Sequence, residues 1–394
     1  MNEHRWQLPR GVKEVLPTEA KRLEGLRRRI LDTFYSWGYE LVVTPLIEYL
    51  DALLTGTGRD LELQTFKLTD QLSGRLLGVR ADMTPQVARI DAHQLRRQVP
   101  TRLCYLAPVL LALPTDLTGS RNPLQVGAEL YGHAGLEADV EIILLMLETL
   151  SQVGLAEDVY VDLGHVGVFI ELAQQSGLDE TKRMALFEAL QRKARPEVLD
   201  LIKESSMQSP LDELFLSLLD LNGDIEEFDS ARIALGRGSA AVLTALDEVA
   251  KVADGVLRQA PGVNLHFDLA ELRGYHYHTG ICFAAYAPGQ GQGVARGGRY
   301  DNIGQVFGEA RPATGFSADL KLLVDLANDD GTSLAVGILA PYSDDGTLLD
   351  VMRDLRQRGE RVVQALPGQK DDPAAMGCDR RLVFDGNSWQ VEQA

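Results

Sequence analysis

Apolar residues along the first third of the chain fall into a helix followed by a run of strands. Leu23, Leu26, Ile30, Leu31, Phe34 and Trp37 recur at three- and four-residue spacing, which predicts an amphipathic helix capped by Thr18 and stopped by Gly38. Residues 1–16 read as an extended arm. A strand over 40–44 runs into Pro45, and 66–79 reads as two strands meeting at Ser73-Gly74. A helix is expected over about 86–97, a strand over 101–109, and another over 124–131. On that last strand Leu124, Val126, Ala128 and Leu130 share one face, while Gln125, Gly127, Glu129 and Tyr131 share the other. A helix over 139–153 and a strand over 159–163 follow.

From about 164 to 259 the pattern becomes helical, with Leu and Ala repeats that predict an inserted helical subdomain. Strand character returns over 264–271. The next stretch alternates Tyr275, Tyr277, Thr279, Ile281 and Phe283 with Gly274, His276, His278, Gly280 and Cys282, and so predicts a strand. Residues 288–293, Pro-Gly-Gln-Gly-Gln-Gly, break it, and a second strand starts at Val294. Gly315-Phe316-Ser317-Ala318 precedes an apolar helix. Residues 327–331 read as a linker, and the remaining 64 or so residues read as strand, helix, strand, strand, a small α/β unit.

The chain has 394 residues, room for two or three domains, and ordinary hydrophobic (45%) and charged (24%) content. Its formal net charge of −18 argues against a nucleic-acid surface, because phosphate backbones are bound through Lys and Arg. The segment beyond 330 holds seven Lys/Arg against ten Asp/Glu and adds no basic footprint. Cys104, Cys282 and Cys378 are far apart and odd in number, which fits neither a disulfide framework nor a zinc spacing. No signal peptide and no membrane span are evident, so a cytoplasmic location is expected.

Candidate chemistry concentrates at 271–304, where imidazole, phenol and guanidinium groups sit among glycines that let a ligand approach the backbone. His276 and His278 form an H-x-H pair, but a metal needs further ligands and the other five histidines are scattered. No metal and no cofactor is expected. Asp82 and Thr84 precede a helix and serve either as N-caps or as acceptors for an ammonium group.

These residues resemble the motifs of a class II histidyl-tRNA synthetase core over roughly 5–325. Gly38-Tyr39-Glu40 through Pro45 resembles the first class II motif, and Arg80-Ala81-Asp82-Met83-Thr84 the segment that holds the substrate amino group. Residues 125–132, Gln-Val-Gly-Ala-Glu-Leu-Tyr-Gly, resemble the strand closing the second motif. Residues 273–280 and 297–301 resemble the two histidine-recognition motifs. The resemblance implies an α+β fold: a class II core, an antiparallel sheet flanked by helices, over 1–326. A helical insertion at about 164–259 and a small C-terminal α/β domain over 332–394 complete it.

Two departures stand out. Leu111 occupies the place of the second-motif arginine, and 112–120 contain no Lys or Arg. Leu322, with Lys321 beside it, occupies the place of the third-motif arginine. Adenylate formation depends on cations at the triphosphate. This combination, and the wording Tyr275-His276-Tyr277-His278, resembles the synthetase paralogues that act as regulatory subunits of short-form ATP phosphoribosyltransferase. Such a protein is not itself an enzyme. It assembles with the short catalytic subunit, as a homodimer within a hetero-oligomer, and binds L-histidine for feedback inhibition of the first step of histidine biosynthesis.

By that resemblance the histidine-binding residues are Asp82, Thr84, Gln125, Glu129, Arg273, Tyr277, His278 and Tyr300. Asp82, Thr84 and Gln125 face the ammonium, and Arg273 the carboxylate. Glu129 faces one ring nitrogen, with Tyr300 or His278 near the other. The loop 288–293 is expected to close on the ligand. The competing readings are a divergent histidyl-tRNA synthetase-like ligase and a free-standing histidine sensor.

Overall fold

The computed structural model describes residues 6–55, 59–114, 119–155, 158–270, 277–308, 310–327 and 337–394. Two compact units emerge, Met1–Asn328 and Asp329–Ala394.

The first unit is built on one nine-stranded sheet. Its strands, in chain order, are β1 (Glu40–Leu41), β2 (Thr101–Pro108), β3 (Leu124–Tyr131), β4 (Tyr160–His165), β5 (Asn222–Asp224), β6 (Asn264–Asp268), β7 (Ile281–Tyr286), β8 (Ala295–Arg299) and β9 (Ala313–Asp319). Their spatial order is β1-β2-β3-β9-β8-β7-β4-β6-β5. Neighbours are antiparallel except β1–β2 and β4–β6. A separate three-stranded sheet joins Ile47–Tyr49, Leu76–Val79 and Phe66–Thr69.

Helices cover one face of the large sheet. They include α1 (Pro17–Ser36), α3 (Glu137–Ser151), α4 (Ala240–Gln259) and α5 (Leu320–Leu326), while α2 (Thr84–Arg89) stands on the other side. Pro17 rather than Thr18 opens α1, with its fixed φ in the first turn and no side-chain cap. Leu26, Ile30 and Phe34 point inward, and Gly38 leaves the helix at φ +82°. The predicted helix over 86–97 is α2 followed by a π-helical turn at Ile90–Leu95, which Arg96 ends in a left-handed conformation.

The main apolar cluster takes Val126, Ala128 and Leu130 from β3, Ile281 and Phe283 from β7, and Phe316 and Ala318 from β9. The inserted helices between 166 and 259 contribute Phe169, Phe187 and Phe215 to the same cluster, so the insertion extends this core rather than forming its own. Its helical run is interrupted by β5, which the Leu/Ala pattern conceals.

On the opposite face a smaller cluster gathers Met83, Val87, Leu103, Tyr105, Tyr131, Tyr300 and Ala313. The alternation expected over 275–283 becomes a strand only from Ile281, and continues to Tyr286. Before it the chain turns: Thr279 N–H donates to the Arg299 carbonyl at 2.7 Å and the Gly280 carbonyl accepts from Val166 at 3.1 Å. Period-two spacing cannot tell a strand from such an approach. Residues 271–276 lie outside the described residues.

In the second unit, Ile338–Ala340 lies between Val362–Gln364 and Arg380–Phe384, parallel to both, and Trp389–Gln393 adds an antiparallel edge. That last strand was not foreseen; the hairpin turns through Asp385-Gly386-Asn387. The helix Gly346–Gln357 packs Leu348 and Met352 onto Ile338, Ala340, Val362 and Leu382. Asp345 caps it, accepting from the Thr347 N–H at 2.9 Å and from Trp389 Nε1 at 3.1 Å. A shallow cavity of about 440 Å³ beside this helix is lined by Leu349, Met352, Arg353 and Arg356, and contains none of the candidate residues.

Candidate functional site

The register of the large sheet aligns Leu103, Glu129, Gly315, Gly298 and Cys282 across β2, β3, β9, β8 and β7. Paired residues share a face, so two glycines stand between Glu129 and Cys282. Neither tolerates a side chain. A Cβ at Gly315 would collide with Glu129 Oε2, and one at Gly298 would come within 2.9 Å of the His278 ring. At Gly127, two residues along β3, it would meet the Tyr105 hydroxyl at 2.5 Å. These glycines form a floor over which Glu129, His278 and Tyr105 lie.

Glu129 is only 1% exposed. Its Oε1 accepts from the Thr84 hydroxyl at 2.9 Å and the Tyr105 hydroxyl at 3.0 Å, and its Oε2 from the Tyr300 hydroxyl. Burial pushes the carboxyl up to about 8, although all three hydroxyls pull the other way. Tyr300 is therefore engaged by Glu129 itself.

Asp82 Oδ1 accepts from Gln125 Nε2 at 2.7 Å and from the Thr84 N–H at 3.2 Å. Asp82 thus holds the first N–H of α2, although Met83 occupies the cap position and gives no side-chain cap. Gln125 Oε1 accepts from the Met83 N–H at 2.9 Å, so this amide positions the Asp82 turn instead of presenting its carbonyl. Tyr277 packs against His278 (ring centroids 4.4 Å) and Tyr300 (6.5 Å). His278 is buried and Tyr277 half-exposed at the rim. The structure thus brings together Asp82, Thr84, Gln125, Glu129, Tyr277, His278 and Tyr300. Arg273 lies outside the described residues.

Sequence patterning does not bring out Tyr105 and leaves the face of Arg299 open. Tyr105 donates to Glu129 from the neighbouring strand; the signal was its alternation with Leu103 and Ala107. Arg299, within the segment 297–301 that resembles a histidine-recognition motif, points to the opposite face. It pairs with Asp139 of α3, Nη2 at 2.6 Å and Nε at 3.1 Å, and donates to the Gly135 carbonyl at 3.0 Å. Asp301 Oδ1 accepts from the Ala313 N–H at 3.0 Å, and the Asp301 N–H donates to Thr279 Oγ1 at 3.0 Å. Arg299 and Asp301 thus anchor the segment that aims Tyr300 at Glu129.

Leu111 is buried and bridges to Thr65. Leu322 packs on the main apolar cluster. Lys321 Nζ donates to the Asn122 carbonyl at 2.7 Å, and burial lowers its proton affinity. Arg80 is bound by the Thr44 and Pro108 carbonyls, both at 2.9 Å. Among the described residues no group of three or more His, Cys, Asp or Glu is placed to hold a metal, and no helix is long and apolar enough to cross a membrane.

The fold and site define a class II histidyl-tRNA synthetase-like core. Residues 11–323 match the family described as histidyl-tRNA synthetase, and 335–392 match the ATP phosphoribosyltransferase subunit HisZ C-terminal domain. A solved ATP phosphoribosyltransferase regulatory subunit/histidyl-tRNA synthetase from Bacillus halodurans superposes with a TM-score of 0.82 at 28% identity, over 94% of this chain and 96% of that one. A Nostoc histidyl-tRNA synthetase, at 18% identity and a TM-score of 0.79 over 99% of this chain and 95% of that one, shares the fold. ATP phosphoribosyltransferase regulatory subunits from Thioalkalivibrio sulfidiphilus and Nitrosococcus oceani are 56% and 54% identical. Those matches cover 99% of this chain and 99% of the first, and 98% of this chain and 96% of the second. The chain belongs to the family of ATP phosphoribosyltransferase regulatory subunits. Its place is in histidine biosynthesis, as partner of the catalytic subunit and in a non-catalytic role.

Proposed function

We propose that the site around Glu129 binds L-histidine and makes the chain the feedback sensor of a short-form ATP phosphoribosyltransferase. The observation that carries this reading is a fully buried carboxyl, ringed by three hydroxyl donors, beside a second carboxylate and a histidine. A carboxyl that keeps its proton near neutral pH can donate it in a hydrogen bond to the unprotonated nitrogen of a neutral imidazole inside the protein. An apolar ring of the same shape would leave Glu129 without that partner, so the site discriminates by chemistry as well as by size. Asp82, held by Gln125, takes the ligand ammonium together with Thr84. His278 faces the second ring nitrogen, and the ligand carboxylate takes a guanidinium.

The same reading has the adenylation site disabled. Leu111 is buried, Leu322 packs half-buried on the main apolar cluster and Lys321 is committed to a carbonyl, so the cations that a triphosphate needs are missing from those positions. A cytoplasmic homodimer within the hetero-oligomer completes the proposal. Exposed apolar side chains on one short segment, Leu41, Val43, Leu46 and Ile47, support a buried copy-to-copy contact there.

Thermal melts of the purified chain with L-histidine, and separately with Mg-ATP, test this reading. A ligand at 100 times its Kd stabilises by about 2.7 kcal/mol, a readable shift in Tm. Histidine is expected to raise Tm and Mg-ATP to leave it unchanged. Stabilisation by Mg-ATP would return the chain to the ligases.

A further inference from the structure

Arg296 stands on β8 two residues before Gly298, and therefore on the Glu129 face of the sheet. Its neighbours in register are Ala284 on one side and Ser317 then Gly127 on the other, all small. The half-buried side chain turns back onto the loop 288–293: Nη2 donates to Oε1 of the exposed Gln292 at 2.7 Å, and Nε lies 3.0 Å from where a Gly293 Cβ would be. Its charge acts on Tyr277, which packs on His278 and Tyr300. The guanidinium thus stands at the rim of the site.

Asp82 supplies negative charge on one side, and an amino acid also brings a carboxylate. Among the described residues, Arg80 is engaged by backbone carbonyls, Arg299 by Asp139 on the opposite face, and Lys321 by Asn122. A neutral amide is a weaker partner for a guanidinium than a carboxylate is, because the carboxylate bond is charge-assisted at both ends and can be bidentate.

We propose that Arg296 binds the carboxylate of the bound amino acid in exchange for Gln292, which frees the loop 288–293 to close over the ligand. This rests on the reading of the site as an amino-acid site, and it turns occupancy into a change of surface. The exchange has two ends, a ligand carboxylate and a loop amide, and each can be removed separately.

The test is calorimetric titration of the full chain with L-histidine and with histamine, which lacks the carboxylate. Arg296→Ala should weaken L-histidine by roughly 30-fold while leaving histamine within about twofold. Gln292→Leu, which removes the competitor, should tighten L-histidine several-fold. If the alanine variant does not fold, Arg296→Gln answers the same question. Equal losses for both ligands, no effect of Gln292→Leu, or carboxylate selectivity that vanishes only in Arg273→Ala would each overturn the exchange. A wild-type chain that binds neither ligand would instead overturn the amino-acid reading beneath it.

Discussion

Glu129, 1% exposed and without an arginine or lysine among its hydrogen-bond donors, holds its proton to about pH 8 because burial disfavours the charge more than three hydroxyls favour it. The folded-state value stands above the ordinary 4.5. The folded chain therefore keeps a proton that the unfolded chain releases. The resulting stability is fully present below about pH 4.5 and is lost as pH rises through about 8. For a group this deeply buried the effect is on the order of a few kcal/mol. Melts of the ligand-free chain at pH 5, 7 and 8.5 should show this decline, and Glu129→Gln should flatten it; an equal pH slope in both proteins would mean Glu129 is already ionised. The face that carries Glu129 was legible in the alternation of 124–131. Its donors were harder to read. Tyr105 lies on a strand that is apolar around it, and pairing Tyr300 with Glu129 requires knowing that β9 separates β3 from β8, which no local pattern contains.

At the level of elements, strand pairing and one buried ion pair hold the site in place. Arg299 and Asp139 tie β8 to α3 beneath the sheet, with side chains 8% and 0% exposed. Removing one partner of such a pair leaves the other charged and buried, at a cost of roughly 3–5 kcal/mol. Asp139→Ala should lower the unfolding free energy by about that amount and weaken histidine binding, since the segment aiming Tyr300 loses its anchor. Denaturant unfolding and a binding titration on the same sample would check both; a loss under about 1 kcal/mol would show that the pair is incidental. The sequence placed Arg299 in a recognition motif but said nothing of the face it occupies. The alternation before Ile281 likewise continues through a turn, because Thr279 is spaced like a strand residue while its hydrogen bonds go to β8 and the segment after it.

For the whole molecule, the class II-like core and the small C-terminal unit were readable from motif order and from the apolar pattern. The inserted helices were readable as helices, but their sharing of the main core with the sheet was not, since that depends on which faces meet. A core that keeps the synthetase fold with leucines at 111 and 322 suits a protein that binds and signals. Membership in the regulatory-subunit family gives that signal a recipient, the catalytic subunit of ATP phosphoribosyltransferase. The central claim is that histidine acts on the enzyme through the Glu129 site. The measurement that tests it most directly is inhibition of the reconstituted complex by L-histidine, with each complex normalised to its own uninhibited rate. With Glu129→Gln in the regulatory chain, half-inhibition should require roughly 100-fold more histidine than with the wild type. Half-inhibition at the same concentration in both would place the histidine effect elsewhere in the complex and contradict this account.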